Sequence, residues 1–413
     1  MNQNITTISI AAAAAPLVVA AALAAIITLA APAAQAAPYL PRAGSDVIET
    51  LPRRSDPLQL ELRRMRVQLA TAPDDVQLAA TLAQRYIAIG RTESDPRYFG
   101  YAQAALAPWW RQAAPPPTVR LLRATLLQNT HSFHAAMADL DAVTVADPAN
   151  AQAWLTRATV QTVLGQYSAA TASCARLSAL TEQLVSIACL TNVSGVTGRL
   201  LKSDALLATT LQRNADAAPQ TRAWAMTLLA EMATRRGDAV LAEARYQEAL
   251  QLAPRDSYLL GAYADFLLDQ QRGAEAAGLL KAQRRIDGLL LRYALALKQV
   301  SQRQTRQSGQ AGLQTELADA VAELDARFHA AALRGDSVHQ REQARYALHL
   351  RGDAKAALAL AQQNWAVQKE PADLRILLEA ARAANDRAAA APALAWMAQT
   401  GLEDSTIAPK GQP

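Results

Sequence analysis

The stretch AWAMTLLAEMATRRGDAVLAEARYQEALQLAPRD, residues 223–256, carries the pattern that decides the fold. Two largely apolar segments flank Gly237, which is suited to a tight turn, and Pro254 follows the second segment, where it would end a helix. Ala230 and Ala242 are small enough to let two helices approach closely. The stretch therefore predicts two antiparallel α-helices packed against each other.

The same pattern returns along the chain with a period of about 34 residues. Residues 257–283 repeat it in register, with Ala264 and Ala276 at the small positions, and a further copy starts at Ala151 and keeps Gly165 at the turn. A repeat of this length is one helical hairpin that buries its apolar face against its neighbours. We expect an all-α solenoid of stacked helix pairs.

Composition supports this class and argues against others. The chain has 413 residues, of which 51% are hydrophobic and 19% charged, so it can bury a large core. Its formal net charge of +5 is far from the concentrated basic surface that nucleic-acid binding requires, and we expect no nucleic-acid partner. Two cysteines are too few for a disulfide-dense scaffold or a four-cysteine metal site.

The amino-terminal 36 residues have the features of an export signal. Residues 8–36 contain no charged side chain, and Ala34, Gln35 and Ala36 form a small-residue cleavage site. We predict a signal peptide over 1–36, with the mature chain beginning at Ala37. The alternative is an uncleaved anchor, because the apolar run is about 20 residues long and could span a bilayer. Both hypotheses place the remaining chain outside the cytoplasm.

The rest of the chain divides by composition. Residues 37–57 are expected to be a linker, and residues 58–403 a single helical repeat domain. A segment rich in Gln, Ser and Arg predicts a flexible loop over 301–311. Residues 404–413 are expected to form a disordered tail.

Motifs that mark catalytic or cofactor sites are missing from the sequence. It contains no GxSxG, no GxxxxGK[ST] and no HExxH, and its five histidines do not form a metal-ligand pattern. We therefore predict no catalytic residues, no cofactor and no metal site. An enzyme with a dispersed site stays an alternative, and it would require His131 or His349 to lie within reach of carboxylates.

Two further stretches suggest a family. IAIGRTESDPRYFGYAQAALAPWW (87–110) and REQARYALHLRGDAKAALALAQQNWAVQKEPAD (341–373), together with the period above, resemble segments of exported tetratricopeptide-repeat (TPR) proteins of Gram-negative bacteria. The resemblance implies a right-handed superhelix of antiparallel helix pairs that binds peptides or proteins.

The resemblance also implies where a partner would bind. In TPR arrays the first helix of each pair lines the inner groove at fixed repeat positions. Read onto this chain, those positions give seven candidate groove residues: Gln152, Thr159, Trp224, Glu231, Arg235, Tyr258 and Asp265. The Lys and Asn with which family members clamp a terminal carboxylate are missing, so an extended peptide or a partner helix is the expected ligand.

These observations lead to a functional hypothesis with two alternatives. We expect a non-enzymatic periplasmic adaptor or scaffold that binds another protein of the cell envelope. The first alternative is a scaffold anchored in the inner membrane, within an export or envelope-assembly complex, and it holds only if the amino-terminal segment is retained. The second is the dispersed-site enzyme.

The two cysteines are predicted to form a disulfide. Cys174 falls in the second helix of one pair and Cys189 early in the first helix of the next, each about seven residues from the intervening turn. They therefore reach similar heights on neighbouring antiparallel helices. An oxidising compartment would permit the bond, whereas in the cytosol both would be small core residues.

Overall fold

The computed structural model describes residues 56–407, apart from 94, 304–309 and 336–337, together with Ala43 and Ser45. The chain from Leu60 onward forms one compact unit. The predicted signal peptide and most of the predicted linker lie outside the described residues, as do residues 408–413 of the predicted tail.

The described part of the chain is all-α, and its helices follow one another in pairs. The first ten are α1 (Pro57–Thr71), α2 (Val76–Thr92), α3 (Arg97–Ala105), α4 (Ala107–Trp110), α5 (Pro117–Asn129), α6 (Phe133–Ala146), α7 (Ala151–Val163), α8 (Tyr167–Arg176), α9 (Gln183–Ser194) and α10 (Leu200–Arg213). The next ten are α11 (Pro219–Arg236), α12 (Ala239–Leu252), α13 (Ser257–Asp269), α14 (Gly273–Leu280), α15 (Asp287–Arg303), α16 (Gln310–Leu333), α17 (Gln340–Tyr346), α18 (Ala354–Val367), α19 (Pro371–Ala383) and α20 (Arg387–Thr400). A π-helical turn, Ala347–Arg351, continues α17.

The stretch that decides the fold forms the helix pair α11 and α12, as predicted. Gly237 ends α11 with a φ of +79°, in the left-handed region that favours glycine. The side chain of Asp238 then accepts a hydrogen bond from the backbone N–H of Leu241 and caps α12. Ala230 and Ala242 are fully buried. Their small side chains let the two helices pack closely, and the predicted all-α TPR-like solenoid is confirmed.

Aromatic side chains join successive pairs. Tyr246 on α12 stacks on Tyr263 of α13, with ring centroids 5.2 Å apart, and also contacts Phe266 at 5.6 Å. All three are buried. Large rings of this kind dominate the burial of apolar surface between neighbouring repeats, which is why they sit at core positions of the pattern.

The last helices return to contact the middle of the array. The backbone N–H of Lys369, ahead of α19, donates to the carbonyl oxygen of Val163 on α7 at 2.8 Å. Gly198 and Gly401 meet backbone to backbone, both with positive φ; a Cβ on Gly198 would lie 3.3 Å from the carbonyl oxygen of Gly401. These contacts enclose a concave space between α11 and α19.

Two of the predicted boundaries can be compared with the structure. Helix α15 continues to Arg303 and α16 begins at Gln310, so the predicted loop over 301–311 is shorter than expected at both ends, and its centre lies outside the described residues. The expectation of a disordered tail from residue 404 is wrong for residues 404–407. Asp404 is buried, and the Ser405 N–H donates to the carbonyl oxygen of Arg235 at 2.8 Å.

Within the part of the chain that the structure describes, none of the helices combines the length and the apolarity needed to cross a bilayer.

Candidate binding cavity

The concave side of the array holds a cavity of about 500 Å³. Its walls come mainly from the first helices of successive pairs, namely α11, α13, α15, α17 and α19, and from the segment after α20. The volume lies in the range of cavities that bind small molecules or short peptide segments.

Four of the seven predicted groove residues line this cavity: Glu231, Arg235, Tyr258 and Asp265. The other three do not. The side chain of Gln152 bonds to Thr156 on its own helix, and the Thr159 hydroxyl donates to the carbonyl of Leu155. Trp224 packs against the apolar cluster between α9, α10 and α11. Repeat position alone selected these three, whereas the returning chain contacts α7 at its last residue, Val163, and lies across the cavity from α11 and α13.

The sequence analysis did not identify the basic side chains that line the opposite side of the cavity. They are Arg292 on α15, Arg341 and Arg345 on α17, Arg375 on α19 and Lys369 just before α19. The i, i+4 spacing of Arg341 and Arg345 places them on one face of α17, and this spacing is the sequence signal that could have found them. The lining is consequently more charged than the seven candidate groove residues alone indicate.

Asp265 joins both sides of the cavity. Its carboxylate accepts from Arg292 at 2.7 Å and from Arg345, 80 residues further along the chain, at 2.8 Å. Burial by itself would raise the pKa of Asp265, but the two guanidinium groups outweigh burial and hold the pKa well below its ordinary value. Asp265 is therefore ionised at neutral pH.

A second ion-pair group lies one turn further along α13. Arg375 binds Asp269 through two hydrogen bonds of 2.6 and 2.7 Å, and its Nε donates to Glu379 at 2.8 Å. The Nε2 of His349 lies 3.0 Å from the other Glu379 oxygen. Burial opposes ionisation, but the bonds from His349 and Arg375 lower the pKa of Glu379 to about 2. Like Asp265, Glu379 is fixed as an anion with its partners in place.

Arg341 organises the third group. It pairs with Glu342, Glu370 and Asp373 at 3.3, 3.0 and 3.3 Å. Glu370 and Asp373 also form a capping box at the start of α19. In it, the side chain of each residue accepts a hydrogen bond from the backbone N–H of the other. This network fixes the loop before α19, and with it Lys369, against the array.

Glu231 and Tyr258 differ from these groups. The phenol of Tyr258 donates to the Oε1 of Glu231 at 2.7 Å, and within the described residues no Arg, Lys or His lies within salt-bridge distance of Glu231. Burial raises the pKa of Glu231 to about 7, a shift that the Tyr258 bond and Arg235 only partly oppose. Tyr258 is 62% exposed and lines the cavity.

The histidine condition set for a dispersed-site enzyme is met by His349. His349 contacts Glu379, but within the described residues no hydroxyl or thiol group hydrogen-bonds to its ring. A nucleophile activated by a histidine needs such a bond. Among those same residues, no group of three or more His, Cys, Asp or Glu side chains is placed to hold a metal ion.

The predicted disulfide is confirmed. Cys174 on α8 and Cys189 on α9 are bonded, with their Cα atoms 5.5 Å apart. Both are buried among apolar side chains that include Leu177 and Val193. The bond therefore ties two neighbouring pairs at a site outside the cavity.

Comparison with known proteins adds little to the site. No protein-family model matches the chain, and no curated protein matches it either. Among solved structures it is similar to a tetratricopeptide repeat protein from Parabacteroides merdae, with 15% identity and a TM-score of 0.33 over 57% of this chain and 98% of that one.

Two other similar structures are protein assemblies. A chain of the APC/C hetero-tetramer Cut9–Hcn1 is 13% identical, with a TM-score of 0.37, over 78% of this chain and 52% of that one. The human IFIT1 dimer with m7Gppp-AAAA is 12% identical, with a TM-score of 0.36, over 83% of this chain and 86% of that one. At such TM-scores, neither a ligand nor a partner carries over to this chain.

Proposed function

We propose that this protein is a non-enzymatic scaffold that binds an extended segment of another protein in its concave cavity. The cavity itself carries the proposal. It is lined by the first helices of successive pairs, its polar walls are held in place by ion pairs, and Tyr258 presents an exposed ring to its interior. A preorganised polar wall with an accessible aromatic ring suits a peptide that binds through hydrogen bonds and stacking.

We further propose that the protein acts in the cell envelope, in the periplasm of a Gram-negative bacterium. The predicted signal over 1–36 and the disulfide between Cys174 and Cys189 support this location, because disulfides persist in oxidising compartments. In the alternative, an uncleaved segment anchors the array to the inner membrane. Amino-terminal sequencing of the envelope protein separates the two: cleavage yields Ala37 as the first residue, and an anchor leaves the chain starting near Met1.

Site-specific photo-crosslinking in the envelope tests the binding site. A photoreactive phenylalanine analogue at Tyr258 should capture a partner protein. The same analogue at Val240, which is 84% exposed on α12 and outside the cavity, is the matched control. A partner captured equally at both positions, or at neither, would contradict binding in the cavity.

A further inference from the structure

The charges in the cavity are almost all paired within the protein. Of the carboxylates that line it, five form ion pairs with arginine: Asp265, Asp269, Glu342, Glu370 and Glu379. Asp404 accepts two hydrogen bonds from Thr406, at 2.9 Å from its N–H and 2.7 Å from its hydroxyl. Each of these groups already has the donors that a carboxylate needs.

Glu231 is the exception in this set. Its one side-chain hydrogen bond within the described residues comes from the neutral phenol of Tyr258, which bonds to Oε1. Glu231 lines the cavity, and among the same residues no side chain donates to its Oε2. The two cations with no carboxylate partner are held elsewhere. Arg235 donates to the carbonyl of Gly195 at 2.7 Å, and the ammonium of Lys369 bonds to the carbonyl of Trp365 and lies over its ring.

Among the described residues, four charged or titratable groups have the largest effect on the pKa of Glu231. Arg235 comes from its own helix, Tyr258 from α13, Arg341 from α17 and Glu370 from the loop before α19. Arg341 and Glu370 pair with each other at 3.0 Å, so their effects on Glu231 largely cancel. What is left is a carboxylate whose charge the unliganded protein compensates poorly, beside an accessible aromatic ring.

We propose that Glu231 and Tyr258 form a subsite for a lysine or arginine side chain of the partner segment. The cation would bond to the free Oε2 of Glu231 and lie against the exposed ring of Tyr258, two interactions that favour a cation over a neutral side chain. The inference rests on the proposed function, since it assigns the chemistry of one residue in the bound segment.

Binding of defined peptide mixtures to the mature protein tests the subsite. The probes are fluorescein-labelled decapeptides with one fixed central residue, Lys, Arg, Gln or Glu, in a common background of Gly, Ser, Ala and Leu. Fluorescence anisotropy should show the Lys and Arg mixtures binding about tenfold more tightly than the Gln mixture, the value expected for one charge-assisted hydrogen bond. The Glu mixture should bind most weakly.

Two variants and one control variant test whether Glu231 and Tyr258 cause the preference for Lys over Gln. Glu231→Gln keeps an acceptor for the Tyr258 phenol and should abolish the preference for Lys over Gln. Tyr258→Ala removes an exposed ring, leaves the core intact and should reduce that preference. Glu248→Gln makes the same change of charge on an exposed position of α12 and should leave it unchanged. Thermal melts confirm that each variant is folded.

The outcomes separate the two proposals. If the Lys and Gln mixtures bind equally well while a crosslinker at position 258 still captures peptide, the cation subsite is wrong and the cavity remains the binding site. A Lys preference that survives in Glu231→Gln also overturns the subsite, because the cation then binds elsewhere. Failure of every mixture to bind or crosslink in the cavity contradicts the proposed function itself.

Discussion

The two walls of the cavity come from distant parts of the chain and supply opposite partners to the ion pairs that join them. Helices α11 and α13, in the strongest copies of the repeat, supply the acids Glu231, Asp265 and Asp269. Helices α17 and α19, about 80 to 110 residues later, supply Arg341, Arg345 and Arg375. The acids of the pairs that cross the cavity therefore belong to the most regular part of the array, and their arginine partners to its returning end.

This difference shows that two kinds of contact hold the array together: packing between adjacent helix pairs, and ion pairs between its last helices and its middle. Packing of adjacent pairs needs only small and apolar residues at repeat positions. Closure needs charges that match across the cavity, and the pairs Asp265–Arg345 and Asp269–Arg375 supply them. Glu231 is the acid of that wall without a basic counterpart, and this makes it available to a ligand.

The largest effect on stability should come from a bond outside both walls. Replacing Cys174 and Cys189 together by Ser opens a loop of about 15 residues and should lower the free energy of unfolding by about 3 kcal/mol. Peptide binding should be unchanged, because neither α8 nor α9 contributes a residue to the ion pairs of the cavity. Urea unfolding measures the first effect and anisotropy the second.

Alkylation of the unreduced wild-type protein provides the control for that experiment. Denatured without reductant and treated with an alkylating agent, the wild-type protein should take up no label. Two labels per chain would mean free thiols, and the stability loss of the Ser variant would then have to come from core packing.

A smaller loss of stability should follow from removing the ion pairs that join the two walls. Asp265→Asn with Asp269→Asn leaves Arg345 and Arg375 without their partners across the cavity. We expect a loss of about 2 kcal/mol, less than for a fully buried pair because both carboxylates are 24–29% exposed. Asp325→Asn, which breaks a pair with side chains about half exposed, is the control and should cost under about 0.5 kcal/mol. Equal losses in the two variants would mean that the walls are not held by these pairs.

The contribution of Asp265 alone to the free energy of unfolding should decrease in the acid pH range. Its pKa in the folded protein lies below the ordinary value of about 4 that it has in the unfolded chain. The stability it provides is therefore complete above pH 4 and is lost as the pH falls through the folded-state pKa. Urea unfolding of wild type and Asp265→Asn at pH 7, 5 and 3 should show a difference that is constant from pH 7 to 5 and shrinks at pH 3. A difference that grows toward low pH would contradict the assignment.

The smallest expected effect is a gain in stability, whereas the substitutions above reduce it. Because the pKa of Glu231 is raised to about 7, the folded protein is destabilised as the pH rises from about 4.5 through 7 and this carboxyl loses its proton. Glu231→Gln should stabilise the protein at pH 8 by about 1 kcal/mol, a modest value because Glu231 is only half-buried, and should change nothing at pH 4. Thermal melts at the two pH values measure it, and destabilisation at pH 8 would mean that Glu231 is paired in solution.

Much of the fold could be predicted from local residues. Gly237, Pro254 and the buried alanines at positions 230 and 242 act over one helix pair, so a short window of sequence contains the whole argument for that pair. The disulfide was predictable for the same reason, since Cys174 and Cys189 lie on adjacent helices with a turn between them.

The cavity was only partly predictable. Repeat positions placed Glu231, Arg235, Tyr258 and Asp265 on the inner surface, and the structure has them there. The same positions also selected Gln152, Thr159 and Trp224, which line no part of the cavity. Repeat position specifies which side of a helix faces inward, but it contains no information on which distant helix faces it.

The sequence by itself therefore determined the helix pairs, their turns and the disulfide, because each depends on residues within one or two repeats. Only the tertiary structure decided which walls meet. The small rotation between successive helix pairs adds up along the array until α17 and α19 contact α13. The same accumulated rotation brings the segment after α20 against Arg235. Partners separated by 80 residues or more are set by that accumulated geometry, which no local pattern in the chain records.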